Sequence, residues 1–78
     1  MTNIEKYKKA FLDSFEAEES IIEALEYESI AAWDSVGHMV LVAALEEAFD
    51  IMLEMDDIID FSGFERGKEI LGGYDVAF

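Results

Sequence analysis

The sequence predicts an all-α fold, a small four-helix bundle with three main helices, a short third helix and a long first loop. Three observations predict it. Apolar residues recur at intervals of three and four along two long stretches, the spacing that gathers them on one side of a helix. Helix-starting residues, Thr2, Asp34 and Ser62, stand just ahead of such stretches. The 78 residues are 53% hydrophobic and 13% aromatic and contain no cysteine, so residues 1–78 should form a single domain that closes one core without disulfides, near the lower size limit for doing so.

Thr2-Asn3-Ile4-Glu5 has capping-box spacing, with Glu5 reaching back to the cap. The first helix follows, its apolar stripe formed by Ile4, Tyr7, Phe11, Leu12 and Phe15. Between Phe15 and Trp33 the period loosens into a long ordered connection pinned by Ile21, Ile22, Leu25, Tyr27, Ile30 and Trp33, with Ser20 placed to cap a short turn. The second helix should run from Ser35 to Phe49, with Leu41, Val42, Leu45, Ala48 and Phe49 facing the core. Val36, Val40, Ala43 and Ala44 lie on its other side, so its first half is apolar almost all round. A domain this small buries such a helix fully only with difficulty, which points to a partner or ligand on the excess face. A short third helix is expected over Asp56–Phe61, and a fourth over Gly63–Leu71. Ser62-Gly63-Phe64-Glu65 has capping-box spacing at the start of the fourth, and Gly72-Gly73 stops it. Tyr74, Val76 and Phe78 form an apolar tail suited to packing back.

Composition excludes several classes of function. The net charge is −14, from 19 acidic and 5 basic residues, which argues against nucleic acid and anionic membrane surfaces and favours basic protein partners. The single histidine, His38, and the lack of cysteine leave no multi-histidine or thiolate metal site. Asp50, Glu54, Asp56, Asp57 and Asp60 lack the glycine and alternation of a calcium-binding EF-hand loop, and read as a solvated, partner-facing surface. No apolar run reaches membrane-spanning length and the N-terminus is unlike a secretion signal, so the expected location is the cytoplasm.

The candidate functional residue is Ser35. Asp34 before it is a good N-cap, and Ser35 opens a helix whose free N–H groups and positive dipole end suit a phosphate ester. Locally the pattern says no more than a cap. Gly37 is out of place within a helix, where it costs roughly 1 kcal/mol relative to alanine, unless something approaches the backbone there. His38 reads as a packing or hydrogen-bonding residue. A hydrolase built from Asp34, Ser35 and His38 is disfavoured, because residues three apart on one turn give no oriented nucleophile–base–acid chain and no G-x-S-x-G elbow is present.

Taken together, Asp34-Ser35-Val36 opening a helix and the run Leu41-Val42-Ala43-Ala44-Leu45-Glu46-Glu47-Ala48-Phe49-Asp50-Ile51 at the right distance resemble the acyl carrier proteins over essentially the whole chain. The resemblance implies a non-enzymatic carrier. Ser35 would receive 4′-phosphopantetheine from coenzyme A through a phosphopantetheinyl transferase, with Asp34 as the supporting cap, and the thiol of that group would hold an acyl or aminoacyl cargo as a thioester. Loading and processing enzymes with basic or apolar docking patches would meet a monomer at Val36, Val40, Ala43, Glu47, Asp56 and Asp57. An acyl pocket would be lined by Met39, Leu41, Val42, Leu45, Ile58 and Phe61. The chain also departs from carriers of fatty acid biosynthesis. Gly37 and Val40 stand where acidic residues are usual, Val36 replaces the usual leucine, and Glu54 lies near a common proline. With Trp33 ahead of the serine and Gly37-His38-Met39 behind it, the chain looks like a specialised branch in lipid metabolism, polysaccharide modification or secondary metabolism. The alternative is an acidic helical interaction module without covalent cargo.

Overall fold

In the computed structural model, which describes residues 1–78, four α-helices and one 3₁₀ turn surround a single core. Helix α1 spans Asn3–Phe15, α2 Ser35–Phe49, α3 Met55–Asp60 and α4 Phe64–Gly72, and the 3₁₀ turn covers Glu19–Ala24 within the long connection. The all-α bundle with a short third helix is the architecture the periodicity predicts.

Each helix starts for an identifiable reason. The Thr2–Glu5 capping box forms in both directions, and its two hydrogen bonds from Thr2 hold the Glu5 carboxyl below its ordinary range. The box expected at Ser62–Glu65 does not form. Gly63 is the cap of α4 and makes no side-chain bond; instead Tyr27 N–H donates to the Ser62 carbonyl at 2.8 Å and Phe64 N–H to the Leu25 carbonyl at 2.9 Å. This backbone bridge ties the first loop to the start of α4 and does the work a side chain would have done. Ser20 likewise caps nothing, since it sits inside the 3₁₀ turn and the cap position falls on Glu18. Helix α3 begins one residue earlier than expected, at Met55. Its first turn is held from outside: Glu54 N–H donates to the Tyr74 hydroxyl at 2.9 Å, and that hydroxyl donates to Asp57 Oδ2 at 2.5 Å.

The core is aromatic. Tyr7, Phe11, Phe15, Trp33, Phe61 and Phe64 are buried with Leu41, Leu45 and Leu71, and Phe11 meets Trp33, Tyr7 and Phe64 edge-on at 5.0–5.6 Å between ring centres. The Tyr7 hydroxyl satisfies itself by donating to the Phe64 carbonyl at 2.6 Å. Burial, reinforced by the nearby Glu65 carboxylate, pushes the Tyr7 phenol far above its ordinary value. Gly67 leaves room for that hydroxyl and for the Phe61 ring, both of which a Cβ at this position would strike. The tail packs back through buried Val76 and through Phe78, whose ring lies 5.1 Å from that of Tyr7.

Candidate functional site

Trp33 anchors the point where the long connection becomes α2. Its indole is fully buried, stacks on Phe15 at 5.1 Å and meets Phe11 edge-on. The backbone turns tightly just before it, with Trp33 N–H donating to the Ile30 carbonyl at 3.1 Å and Glu28 N–H to the Trp33 carbonyl at 2.9 Å. Fixing Trp33 fixes the next residue, Asp34, in the extended cap conformation, and its Oδ1 accepts the Gly37 N–H at 2.8 Å. Helix α2 therefore begins at Ser35. The question raised by Gly37 has a physical answer: the Ala32 carbonyl of the incoming loop occupies the space a Cβ would take. Only glycine lets the loop lie this close to the first turn.

Asp34 supplies the cap, and the Ser35 hydroxyl is left with no structural task. The side chain is exposed, and none of the side-chain hydrogen bonds of the structure involves it. The backbone N–H groups of Ser35 and Val36 have no backbone acceptor either. Beside Ser35 runs a groove of about 440 Å³ between α2 and α3, lined by Tyr27, Ser35, His38, Met39, Met55, Ile58, Ile59, Phe61 and Ser62.

His38 lines the groove and is half-buried, and its state follows from its partners. Trp33 Nε1 can only donate, so His38 Nδ1, 2.9 Å away, accepts. Nε2 then carries the hydrogen and donates to the Ile58 carbonyl on α3 at 2.7 Å. The ring lies nearly parallel to the Trp33 indole, 6.2 Å between centres and 16° between planes, and meets Phe61 and Tyr27 edge-on. His38 thus joins the loop, α2 and α3 through one side chain. No protein-family model, curated protein or solved structure matches this chain. The arrangement must be read from its own residues.

Of the six residues expected to line an acyl pocket, Met39, Ile58 and Phe61 do border the groove with Ser35. Leu41, Val42 and Leu45 do not: they are buried in the same core cluster as Trp33 and Phe61 and border no cavity. Helical spacing identifies which face of α2 is inward, but it does not distinguish close-packed from empty volume. Tyr27, His38, Met55, Ile59 and Ser62 also border the groove. Tyr27 and Ser62 lie in loops with no periodic signal, and only the pairing of those two loops brings them to Ser35.

The residues expected to meet partners separate into two groups. Val36, Val40, Ala43 and Glu47 lie along one exposed stripe of α2, with Val36 71% accessible and Val40 49%. Met39, Met55 and Ile59 extend this apolar surface around Ser35. Asp56 is exposed on α3. Asp57 is not part of this surface, since its carboxylate accepts the Tyr74 hydroxyl on the α4 side, a bond that raises the Tyr74 phenol above its ordinary value. Glu46 also turns inward and accepts the Leu53 N–H at 2.9 Å. No group of three or more metal-ligating side chains comes together.

Proposed function

We propose that the protein is a carrier of acyl or aminoacyl groups, modified at Ser35 by 4′-phosphopantetheine and serving a lipid, polysaccharide-modifying or secondary-metabolite pathway. The observation that supports it best is the state of the Ser35 hydroxyl. A serine retained as a cap would be bonded to the first turn, whereas here Asp34 has that role and Ser35 stands exposed and unbonded at the rim of an apolar groove.

The residues present fit the group. Its phosphodiester would sit beside the free N–H groups of Ser35 and Val36, where the helix dipole favours negative charge. When bound, the group supplies a thiol on a long arm, which a chain without cysteine lacks. In the modification the Ser35 oxygen loses its proton to the transferase and bonds the phosphorus nearest the pantetheine of coenzyme A. The pyrophosphate linkage breaks and 3′,5′-adenosine diphosphate leaves.

Partner enzymes would dock on Val36, Met39, Val40, Met55 and Ile59, an apolar patch within an acidic surface. No lysine or arginine occurs between Lys9 and Arg66. Long-range attraction therefore favours enzymes with a basic rim, and the apolar contact holds them. The carrier itself is read as a non-enzymatic, monomeric, cytoplasmic protein. A hydrolase at Ser35 would need a free base, and both ring nitrogens of His38 are already committed. No helix is long and apolar enough to cross a membrane.

The exposed apolar stripe also supports a second reading, an interaction module without cargo. Incubation with coenzyme A and a broad-specificity phosphopantetheinyl transferase, followed by intact-mass measurement, separates the two. The carrier predicts a gain of one phosphopantetheine in wild type and none in Ser35→Ala. No gain in wild type, or an equal gain in Ser35→Ala, refutes it. For the module, Val40→Asp abolishes partner binding while Ser35→Ala retains full function.

A further inference from the structure

We infer that His38 fixes the depth of the groove beside Ser35 and thereby keeps the acyl cargo, short or long, outside the bundle core. The inference rests on the carrier reading and goes beyond it, because it assigns a side chain that decides where the acyl chain lies.

Of the residues lining the groove, Ser35 is exposed, His38 half-buried and Phe61 buried, so the last two are its innermost side. The buried indole of Trp33 packs against both, and Leu41 and Leu45 belong to the same buried core. A long chain could enter the core only by displacing this floor. A wall of leucine or methionine yields by changing rotamer, since its contacts are non-directional. His38 has no such freedom. Nδ1 holds the Trp33 indole N–H at 2.9 Å, and Nε2–H holds the Ile58 carbonyl at 2.7 Å. Swinging the ring aside breaks both bonds at once and strands a fully buried indole N–H with no acceptor. It also uncouples α3 from α2, because the Ile58 bond spans the two helices. The floor is thus held by directional bonds, while the sides, Met39, Met55 and Ile59, are exposed apolar side chains with no such bonds. A short chain is accommodated by the sides; a longer one continues outward into solvent or into a docked partner.

The test loads wild type, His38→Ala and His38→Asn from acetyl-, octanoyl- and palmitoyl-coenzyme A with a broad-specificity transferase, checks loading by mass, and reads side-chain NMR signals. In wild type, octanoyl loading shifts the Met39 and Met55 methyl signals, while Leu41 and Leu45 methyls and the Trp33 indole N–H stay in place with every chain. In His38→Ala the two longer chains shift Leu41 and Leu45. His38→Asn, whose side-chain oxygen stands close to the position of Nδ1 and can accept the indole N–H, keeps the Trp33 signal in place but, without a donor to the Ile58 carbonyl, lets the longer chains shift Leu41 and Leu45 less than in His38→Ala. Movement of Leu41 and Leu45 in loaded wild type overturns the inference, as does a folded His38→Ala whose core signals ignore the long chains. If His38→Ala does not fold, the wild-type series and His38→Asn decide. Absence of any mass gain is a different failure: it removes the carrier reading, and this inference with it.

Discussion

Gly37→Ala sets the structure directly against local propensity. Within a helix, glycine to alanine is expected to stabilise by roughly 1 kcal/mol. At Gly37 the new Cβ collides with the Ala32 carbonyl oxygen and also lies 3.1 Å from the Ala32 carbonyl carbon and 3.4 Å from Asp34 Oδ1. The obstacle is backbone, so relief requires the loop to part from the first turn of α2. That movement loosens the Asp34 cap, worth about 1 kcal/mol, and the Trp33–His38 hydrogen bond, whose loss leaves a buried donor unpaired at a cost of about 1–3 kcal/mol. Setting about 2–4 kcal/mol of loss against about 1 kcal/mol of gain gives a net destabilisation of about 1–3 kcal/mol. In a domain of this size each 1 kcal/mol lowers Tm by about 4–8 °C. Thermal and urea unfolding followed by far-UV circular dichroism measure it, with the urea midpoint falling and the slope unchanged. A Gly37→Ala variant with a higher Tm than wild type would refute the close approach of Ala32.

Two further outcomes test the core beneath the site. Gly67→Ala should destabilise by about 1–3 kcal/mol through overpacking against the Tyr7 hydroxyl and the Phe61 ring, and calorimetry that finds it neutral contradicts that packing. Tyr7 should make the fold alkali-sensitive. Its folded-state phenol is raised above the ordinary value of 10.0, so its contribution is fully present below that value and is lost as pH rises above it towards the folded value. Urea midpoints measured at about pH 9 and about pH 11 should fall more for wild type than for Tyr7→Phe; equal falls would show that Tyr7 is not the group responsible.

How far the sequence could be read depended on the range of the interaction involved. The Thr2 box, the Asp34 cap and the start of α2 at Ser35 were legible, because each rests on residues within three positions of one another. The box at Ser62 was equally regular in spacing and failed, because the loop carrying Leu25 and Tyr27 supplies the backbone partners at that end of α4. The core face of α2 was legible from its period. Whether Leu41, Val42 and Leu45 bordered a cavity was not, since that depended on how closely the other elements packed against them.

By itself, the sequence determined the helices, the inward faces, the acidic surface and the position of Ser35 at a helix start, all of which follow from local propensity, period and charge. Only the tertiary structure decided what surrounds that serine. Ala32 demands a glycine five residues on in the chain, Trp33 and the Ile58 carbonyl fix the His38 ring from opposite sides, and Tyr27 and Ser62 meet at the groove through a backbone bridge. The physical reason is that these contacts are set by how the loop and α3 close over α2, and close packing and directional hydrogen bonds between such segments leave no periodic mark in the chain.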